Sequence, residues 1–194
     1  MSEPAATKSD VVSAPSESLI LVDREDATVG ALDKLSCHQG SGTLHRALSV
    51  FLFDDAGRVL LQQRAAEKPL WPLYWSNSCC SHPRVGETVE GAAARRTFEE
   101  LGLTTAPRFV YKFEYRAPYD NGHSEHELCH VFVGRAQGSL ERNTTEVAAT
   151  RWLQPAELDA ILAGPAPDHT PWLKMEWTQL RGPLSHALEG LDRD

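Results

Sequence analysis

The chain has 194 residues, enough for one domain with tails, and its 27 Asp and Glu against 19 Lys and Arg leave a formal charge of -8. That balance argues against a broad electrostatic footprint for nucleic acid or an anionic membrane, so an anionic ligand must be met by a local basic cluster. Cys37, Cys79, Cys80 and Cys129 follow no secretory leader, and no apolar run approaches a membrane span, which points to reduced thiols in a cytoplasmic protein.

Residues 1–18 are rich in Ser, Ala, Pro and Glu without periodicity and read as a flexible N-terminal tail. The folded domain is expected over 19–181 and a C-terminal tail over 182–194. Leu19 to Asp23 reads as a short strand, followed by a turn that leads to Lys34, Cys37 and His38. Arg46 to Asp54 and Arg58 to Arg64, on either side of a turn containing Gly57, read as a β-hairpin. After an irregular Pro- and Trp-rich connection, a helix is expected from about Glu87 to Gly102, with Gly91, Ala94, Phe98 and Leu101 as its packing stripe. Phe109 to Arg116 and Glu125 to Arg135 read as strands, and Thr150 to Leu153 as a last one. Pro155 opens a short helix, and 170–191 reads as helical and apolar enough to pack back on the body. Strands interleaved with helices, with antiparallel hairpins, give an α/β (α+β) single domain with a mixed sheet.

The chemistry concentrates in Ser76 to Pro83, which reads SNSCCSHP. A thiolate is the strongest common nucleophile or base among side chains, and a nearby cation or metal brings it into use near neutrality. Cys80 and His82 are therefore candidates, against the plain alternative of a small buried hydrophobe and a loop hydrogen-bonder. Glu125 and Glu127, two apart in a strand, share one face while His126 takes the other, and paired acids repel unless a metal or a proton sits between them. His38, His45 and His82 with those two carboxylates would make a site suited to Mn, Zn or Fe rather than Mg, although their spacing matches no standard local motif. Lys34, Arg64, Lys68 and Arg96 would grip a diphosphate if the fold placed them around one pocket, and are ordinary surface charges otherwise.

Glu87, Arg95, Glu99, Glu100 and Gly102 are spaced E-x7-R-x3-E-E-x-G, which resembles the Nudix box, with Ser81 at its first glycine and Leu103 at its last apolar position. A loop followed by a helix with carboxylates on one side is a platform for magnesium. Arg96 stands where Nudix hydrolases carry a metal-binding glutamate, which weakens a hydrolytic site and strengthens a diphosphate clamp. As a purely structural alternative, Arg95 with Glu99 and Arg96 with Glu100 form ion pairs along the helix.

With WSNSCCSHP, EHELCHVF, KLSCH and TLHRALS added, the chain from about Leu19 to Trp177 resembles the type I isopentenyl-diphosphate isomerases of isoprenoid biosynthesis. The resemblance implies a Nudix-type α/β/α sandwich and conversion of isopentenyl diphosphate to dimethylallyl diphosphate by protonation and deprotonation through a tertiary carbocation. It implies Cys80 and Glu127 as the catalytic pair, with Tyr115 and Trp172 as active-site aromatics. It also implies His38, His45, His82, Glu125 and Glu127 as ligands of Mn2+ or Zn2+. Glu100 and the Cys80 carbonyl would hold a diphosphate-bound Mg2+, and Lys34, Arg64, Lys68 and Arg96 the diphosphate itself. The expected partner is this small-molecule substrate, with no nucleic acid or membrane, and the expected state is a monomer. Two departures stand out: Ser81 replaces a usual glycine, and Cys79 replaces a usual apolar residue. The competing readings are a Nudix pyrophosphohydrolase, which needs the carboxylate that Arg96 replaces, and a non-catalytic Nudix-fold binding module.

Overall fold

The computed structural model describes residues 6–191. In chain order the elements are β1 (Ala6–Lys8), β2 (Ser18–Val22), β3 (Thr28–Asp33), α1 (Lys34–Cys37), β4 (His45–Phe53), β5 (Val59–Arg64), β6 (Trp75–Ser76) and β7 (Cys79–Ser81). There follow α2 (Val89–Leu101), β8 (Arg108–Pro118), β9 (Ser124–Arg135), β10 (Glu141–Asn143), β11 (Val147–Leu153), α3 (Pro155–Ala163), α4 (Pro171–Arg181) and a 3-10 turn at Ser185–Leu188.

The sheet is organised around β4. It runs parallel to β9 from His45 opposite Glu127 to Phe53 opposite Arg135, whereas β8 and β9, β5 and β11, and β2 and β3 pair antiparallel. The result is the mixed sheet expected. All but one residue of β4 is buried, because both of its faces are covered. Side chains alternate between the faces: Leu48, Val50 and Leu52 meet Ala92, Ala93 and Leu101 of α2, while Phe51 and Phe53 meet Leu158 and Leu162 of α3 and Leu173, Trp177 and Leu180 of α4. Helix, sheet and helix make the three layers of the sandwich, and each buried Phe or Leu contributes about 1.5–3 kcal/mol.

The helix α2 begins where Thr88 caps it, accepting from the Gly91 amide at 3.1 Å, and ends at Gly102 in the left-handed region at φ 67°. Its packing face differs from the stripe expected. Ala92, Ala93, Arg96, Thr97, Glu100 and Leu101 are buried, while Phe98 is 53% exposed and Gly91 is on the surface. The true face includes two charged residues that can be buried because they pair with each other, and a search for apolar residues alone passes over them.

The β4–β5 hairpin is formed only at its base, where Phe53 pairs with Val59. The strands then splay, and SNSCCS is wedged between them. β6 pairs with β5 through Ser76 and Trp75, and β7 pairs with β4 through Cys79, Cys80 and Ser81. Ser78 Oγ bridges both sides, donating to Leu60 O at 2.7 Å and accepting from Leu52 N at 2.8 Å. Asn77 Nδ2 donates to Val50 O at 3.2 Å.

Both expected tails carry packed structure within the described residues. β1 pairs with β10, Asn143 Nδ2 donates to Asp10 O at 2.7 Å, and Arg96 Nη1 donates to Val12 O at 2.7 Å. Composition does not register such main-chain partners. At the other end Ala187 and Leu188 are buried, and Leu188 joins the core of α4. Residues 1–5 and 192–194 of these tails lie outside the described residues. β3, α1 and β10 are further elements with too short a pattern to read, and β11 starts three residues before the expected Thr150.

Candidate active site

Alternation along β7 separates the two neighbouring cysteines. Cys79 turns into the core with Ala92 and Ala93 and is a buried hydrophobe, while Cys80 turns toward a cavity. Ser81 is not among the residues with positive φ, so the departure from glycine there carries no backbone strain. All four cysteines are free thiols. The Cys80 thiol donates to Asn77 Oδ1 at 2.6 Å and accepts from Trp172 Nε1 at 3.1 Å, and Ser76 Oγ lies 3.3 Å away. Burial, with Glu176 nearby, pushes this thiol up to about 12, against the lowering from Ser76, Arg64 and Trp172.

Glu127 on β9 faces His45 across the parallel pair and Tyr115 across the antiparallel one. Tyr115 Oη donates to Glu127 Oε2 at 2.6 Å, and Glu127 Oε1 lies 3.2 Å from His82 Nε2 and 3.6 Å from His45 Nε2. Burial opposes ionisation of Glu127, but the neighbouring His45 and His82 rings together outweigh it and hold the carboxyl well below the usual range. Burial holds His82 neutral, and burial with the Glu127 charge pushes the Tyr115 phenol well up. His126 points away to Glu114 at 3.0 Å, as strand alternation requires.

The donor set fits a divalent cation. His38 and His45 donate their Nδ1 protons to the carbonyls of Lys34 (2.6 Å) and Thr43 (2.8 Å), which leaves each Nε2 as a lone pair turned inward. His45 Nε2 and His82 Nε2 stand 3.2 Å apart, a separation natural for two ligands of a shared ion. The ligand atoms of His38, His45, His82 and Glu127 all lie within 4.8 Å of one another. Four of the five expected ligands converge, and Glu125, the fifth, stands beside them with Oε2 2.8 Å from His38 Nε2 and no hydrogen-bond partner among the described residues.

The catalytic candidates open onto one cavity of about 400 Å³, lined by Cys80, Tyr115, Glu127 and Trp172 together with His38, His82, Glu125 and all four basic candidates. Arg64 donates to the carbonyls of Leu70 and Trp71 and lies over the Trp172 ring at 5.5 Å. Lys34 donates to Ser13 Oγ at 2.7 Å, and burial with the neighbouring Lys68 lowers its ammonium to about 8. Arg96 binds Glu100 at 2.7 Å and Glu99 at 3.2 Å, so the helical ion pairs also form. Glu100 itself is buried under Arg96 and does not line the cavity. A second, larger groove of about 930 Å³ lies beyond Tyr115 and Trp71, but of the candidate residues only Tyr115 reaches it.

Two carboxylates here have no motif in the sequence. Glu146, after the turn at Asn143, pairs with Lys68 and lies 3.3 Å from Arg96. Glu176 is fully buried on α4, with Oε1 at 3.5 Å from Cys129 Sγ, and burial pushes it up to about 8. Its one legible signal is its place one helical turn after Trp172.

The NUDIX domain family matches residues 43–174. An isopentenyl-diphosphate Delta-isomerase of Nocardia farcinica is 49% identical over 154 residues, spanning 79% of this chain and 88% of its own. Isopentenyl-diphosphate Delta-isomerase 1 of Photorhabdus laumondii is 41% identical over 166 residues, 84% of this chain and 94% of its own. The crystal structure of a Deinococcus radiodurans protein shares the fold with a TM-score of 0.68 at 22% identity, covering 84% of this chain and 98% of that one. The family match takes in most of the sheet, α2 and the start of α4, and the named relatives align over nearly their whole length; the chain belongs to the Nudix family and, within it, to the isopentenyl-diphosphate Delta-isomerases.

Proposed function

We infer that this chain moves the double bond of isopentenyl diphosphate to give dimethylallyl diphosphate. One observation carries the reading: a thiol at Cys80 and a phenol–carboxylate pair at Tyr115 and Glu127 line the same cavity, and that cavity has a basic wall. An unactivated alkene is a weak base, so the reaction needs a water-shielded acid at C4 and a base that removes a proton from C2. One proton enters, one leaves, and the tertiary carbocation between them needs electron-rich neighbours. Cys80 and Glu127 are the two proton-transfer groups in this proposal. Tyr115 shares the Glu127 proton, and the Trp172 ring faces the developing charge. Trp71, Leu70 and Trp172, all buried, keep out the water that would capture the cation as an alcohol.

Lys34, Arg64, Lys68 and Arg96 would hold the diphosphate, so that binding energy remote from the alkene fixes it between the pair. The His38, His45, His82 and Glu127 set, supported by Glu125, suits Mn2+ or Zn2+. A cation bound there supplies positive charge beside Glu127 and sharpens the acidity of any proton that carboxyl shares. Mg2+ would enter with the diphosphate, and Glu100 with the Cys80 carbonyl would reach it once the Glu100–Arg96 pair opens. Among the described residues no helix is long and apolar enough to cross a membrane. The proposal includes a monomeric state and a cytoplasmic location, the latter supported by the four free thiols, which stay reduced there.

The test is product analysis from isopentenyl diphosphate with the metal-stripped protein, then after resupply of Mg2+ and Mn2+, beside Cys80→Ala and Glu127→Gln. Metal-dependent dimethylallyl diphosphate that disappears in both variants is the expected result. Released phosphate would instead establish a hydrolase, and no turnover by the wild type would leave a binding module. The hydrolase reading has the weaker support, since Arg96 fills the carboxylate position and is locked to Glu99 and Glu100.

A further inference from the structure

The basic wall contains an anion of its own. Glu146 is 4% exposed and lines the cavity beside Lys34, Lys68 and Arg96. Its backbone is fixed, with its amide donating to Asn143 O at 3.0 Å and its carbonyl accepting from Ala65 N at 2.9 Å. Its Oε2 meets both Lys68 Nζ and Arg96 Nη2. These are two of the cations to which the proposed function assigns the diphosphate, and a buried carboxylate among them repels any second anion that approaches.

We propose that Glu146 is an internal competitor for the diphosphate site, holding Lys68 and Arg96 in place and setting how much negative charge a ligand must carry to take them over. The inference rests on the basic wall being the diphosphate site. Lys34, Lys68 and Arg96 line one cavity, and cations converging there without a counter-charge would repel one another. A carboxylate relieves that repulsion at a cost in ligand affinity. A singly charged ligand gains too little from Lys68 and Arg96 to outbid it, whereas a diphosphate, with charge spread over two phosphoryl groups, gains enough. Glu146 thereby sets the affinity threshold of the site and is a positioning residue for Lys68 and Arg96 rather than a group that touches the reacting carbons.

The geometry also makes the residue testable. Arg96 keeps Glu100, Glu99 and the Val12 carbonyl when Glu146 loses its charge, and Lys68 remains within reach of solvent, so Glu146→Gln leaves no cation stranded. Calorimetric titration with inorganic diphosphate, in chelator, is the experiment. Glu146→Gln should bind about tenfold tighter than wild type, the scale of one unit charge removed from a partly dry site, and inorganic phosphate, with less charge to be repelled, should gain less. Structural damage cannot tighten binding, so unchanged or weaker affinity overturns the proposal. Should circular dichroism show Glu146→Gln unfolded, Glu146→Asp carries the test: its shorter side chain withdraws the charge, and about a two- to threefold gain is expected. Equal or weaker binding by that variant is equally fatal. If wild-type protein binds no diphosphate at all, the basic wall is not the diphosphate site and the proposal falls together with that assignment; binding that ignores Glu146→Gln sinks the competitor alone.

Discussion

Glu176 offers a prediction whose magnitude follows from its burial. The carboxyl is fully enclosed, and its level is raised from 4.5 to about 8. In the unfolded chain the group ionises near its ordinary value, so between those two limits unfolding releases a proton. A carboxyl raised on folding leaves stability at its fullest below the unfolded value and costs stability as pH rises toward the folded one. From about pH 5 to about pH 7 the wild type should therefore lose on the order of 2–3 kcal/mol that a non-titrating residue would keep. Glu176→Gln keeps the shape and an acceptor oxygen for Cys129 and Ser49, and it inherits the partnerless position of Oε2. The two proteins should thus be within about 1 kcal/mol of each other at acid pH and diverge on the neutral side, the variant being the more stable. The assay is urea unfolding of both metal-stripped proteins at the two pH values, where all other titrations cancel in the difference. Parallel behaviour of wild type and variant would refute the argument, because it would mean that Glu176 is either ionised in the fold or hydrated.

Other substitutions test separate links. Tyr115→Phe removes the 2.6 Å hydrogen bond to Glu127 and keeps the ring stacked on Phe113, so kcat should fall about a hundredfold with little change in thermal midpoint; wild-type kcat would remove the phenol from proton transfer. Arg96→Ala leaves Glu100 and Glu146 buried without their shared cation and should cost about 3–5 kcal/mol in denaturant unfolding, so that lost diphosphate affinity comes with lost stability. A loss of affinity at unchanged stability would show that the Arg96 pairs are dispensable to the fold. Gly102→Ala places a Cβ 2.9 Å from Glu141 Cβ at a left-handed φ of 67°, and unfolding should show a loss of about 1–3 kcal/mol; a neutral result would mean that the α2–β10 contact yields freely.

The parts legible in the sequence are those where one local rule decides the outcome. Period-two alternation placed Glu125 with Glu127 and turned His126 away, and Thr88 and Gly102 bound the helix that the Nudix spacing announces. Motif resemblance reached further than local rules could, since nothing in the separations of His38, His45 and His82 along the chain foretells nitrogens 3.2 Å apart. What remained hidden depends on contacts between distant segments. β4 and β5 look like a simple hairpin until the Ser78 hydroxyl is seen tying Leu52 to Leu60 across an inserted loop. Residues 6–17 are held largely through main-chain groups and a few polar side chains, which composition cannot weigh. Glu146 and Glu176 gain their character only from what surrounds them, a cation cluster in one case and a dry interior in the other.

These placements explain how a Nudix scaffold can leave hydrolysis behind. The helix that gives the family its motif has its charges closed on one another: Arg95 takes Glu87 at 2.7 Å and Glu99 at 2.8 Å, and Arg96 takes Glu99 and Glu100. A metal at those carboxylates must first break ion pairs that are partly or fully buried, which is costly. The inward lone pairs, by contrast, come from α1's C-terminal cap, from β4 and from the loop after β7, and they meet Glu127 on β9. In the proposed reading a second cation site stands at the far end of the parallel β4–β9 pair, beside a thiol and a phenol, and Glu100 is left to reach Mg2+ only with the diphosphate. On that reading the cavity holding the diphosphate at its basic wall would present proton-transfer groups to the other end of the ligand instead of an activated water to its phosphorus. Arg96 is the hinge of that proposal, because one residue both closes on Glu99 and Glu100 of the helix and lines the basic wall of the cavity.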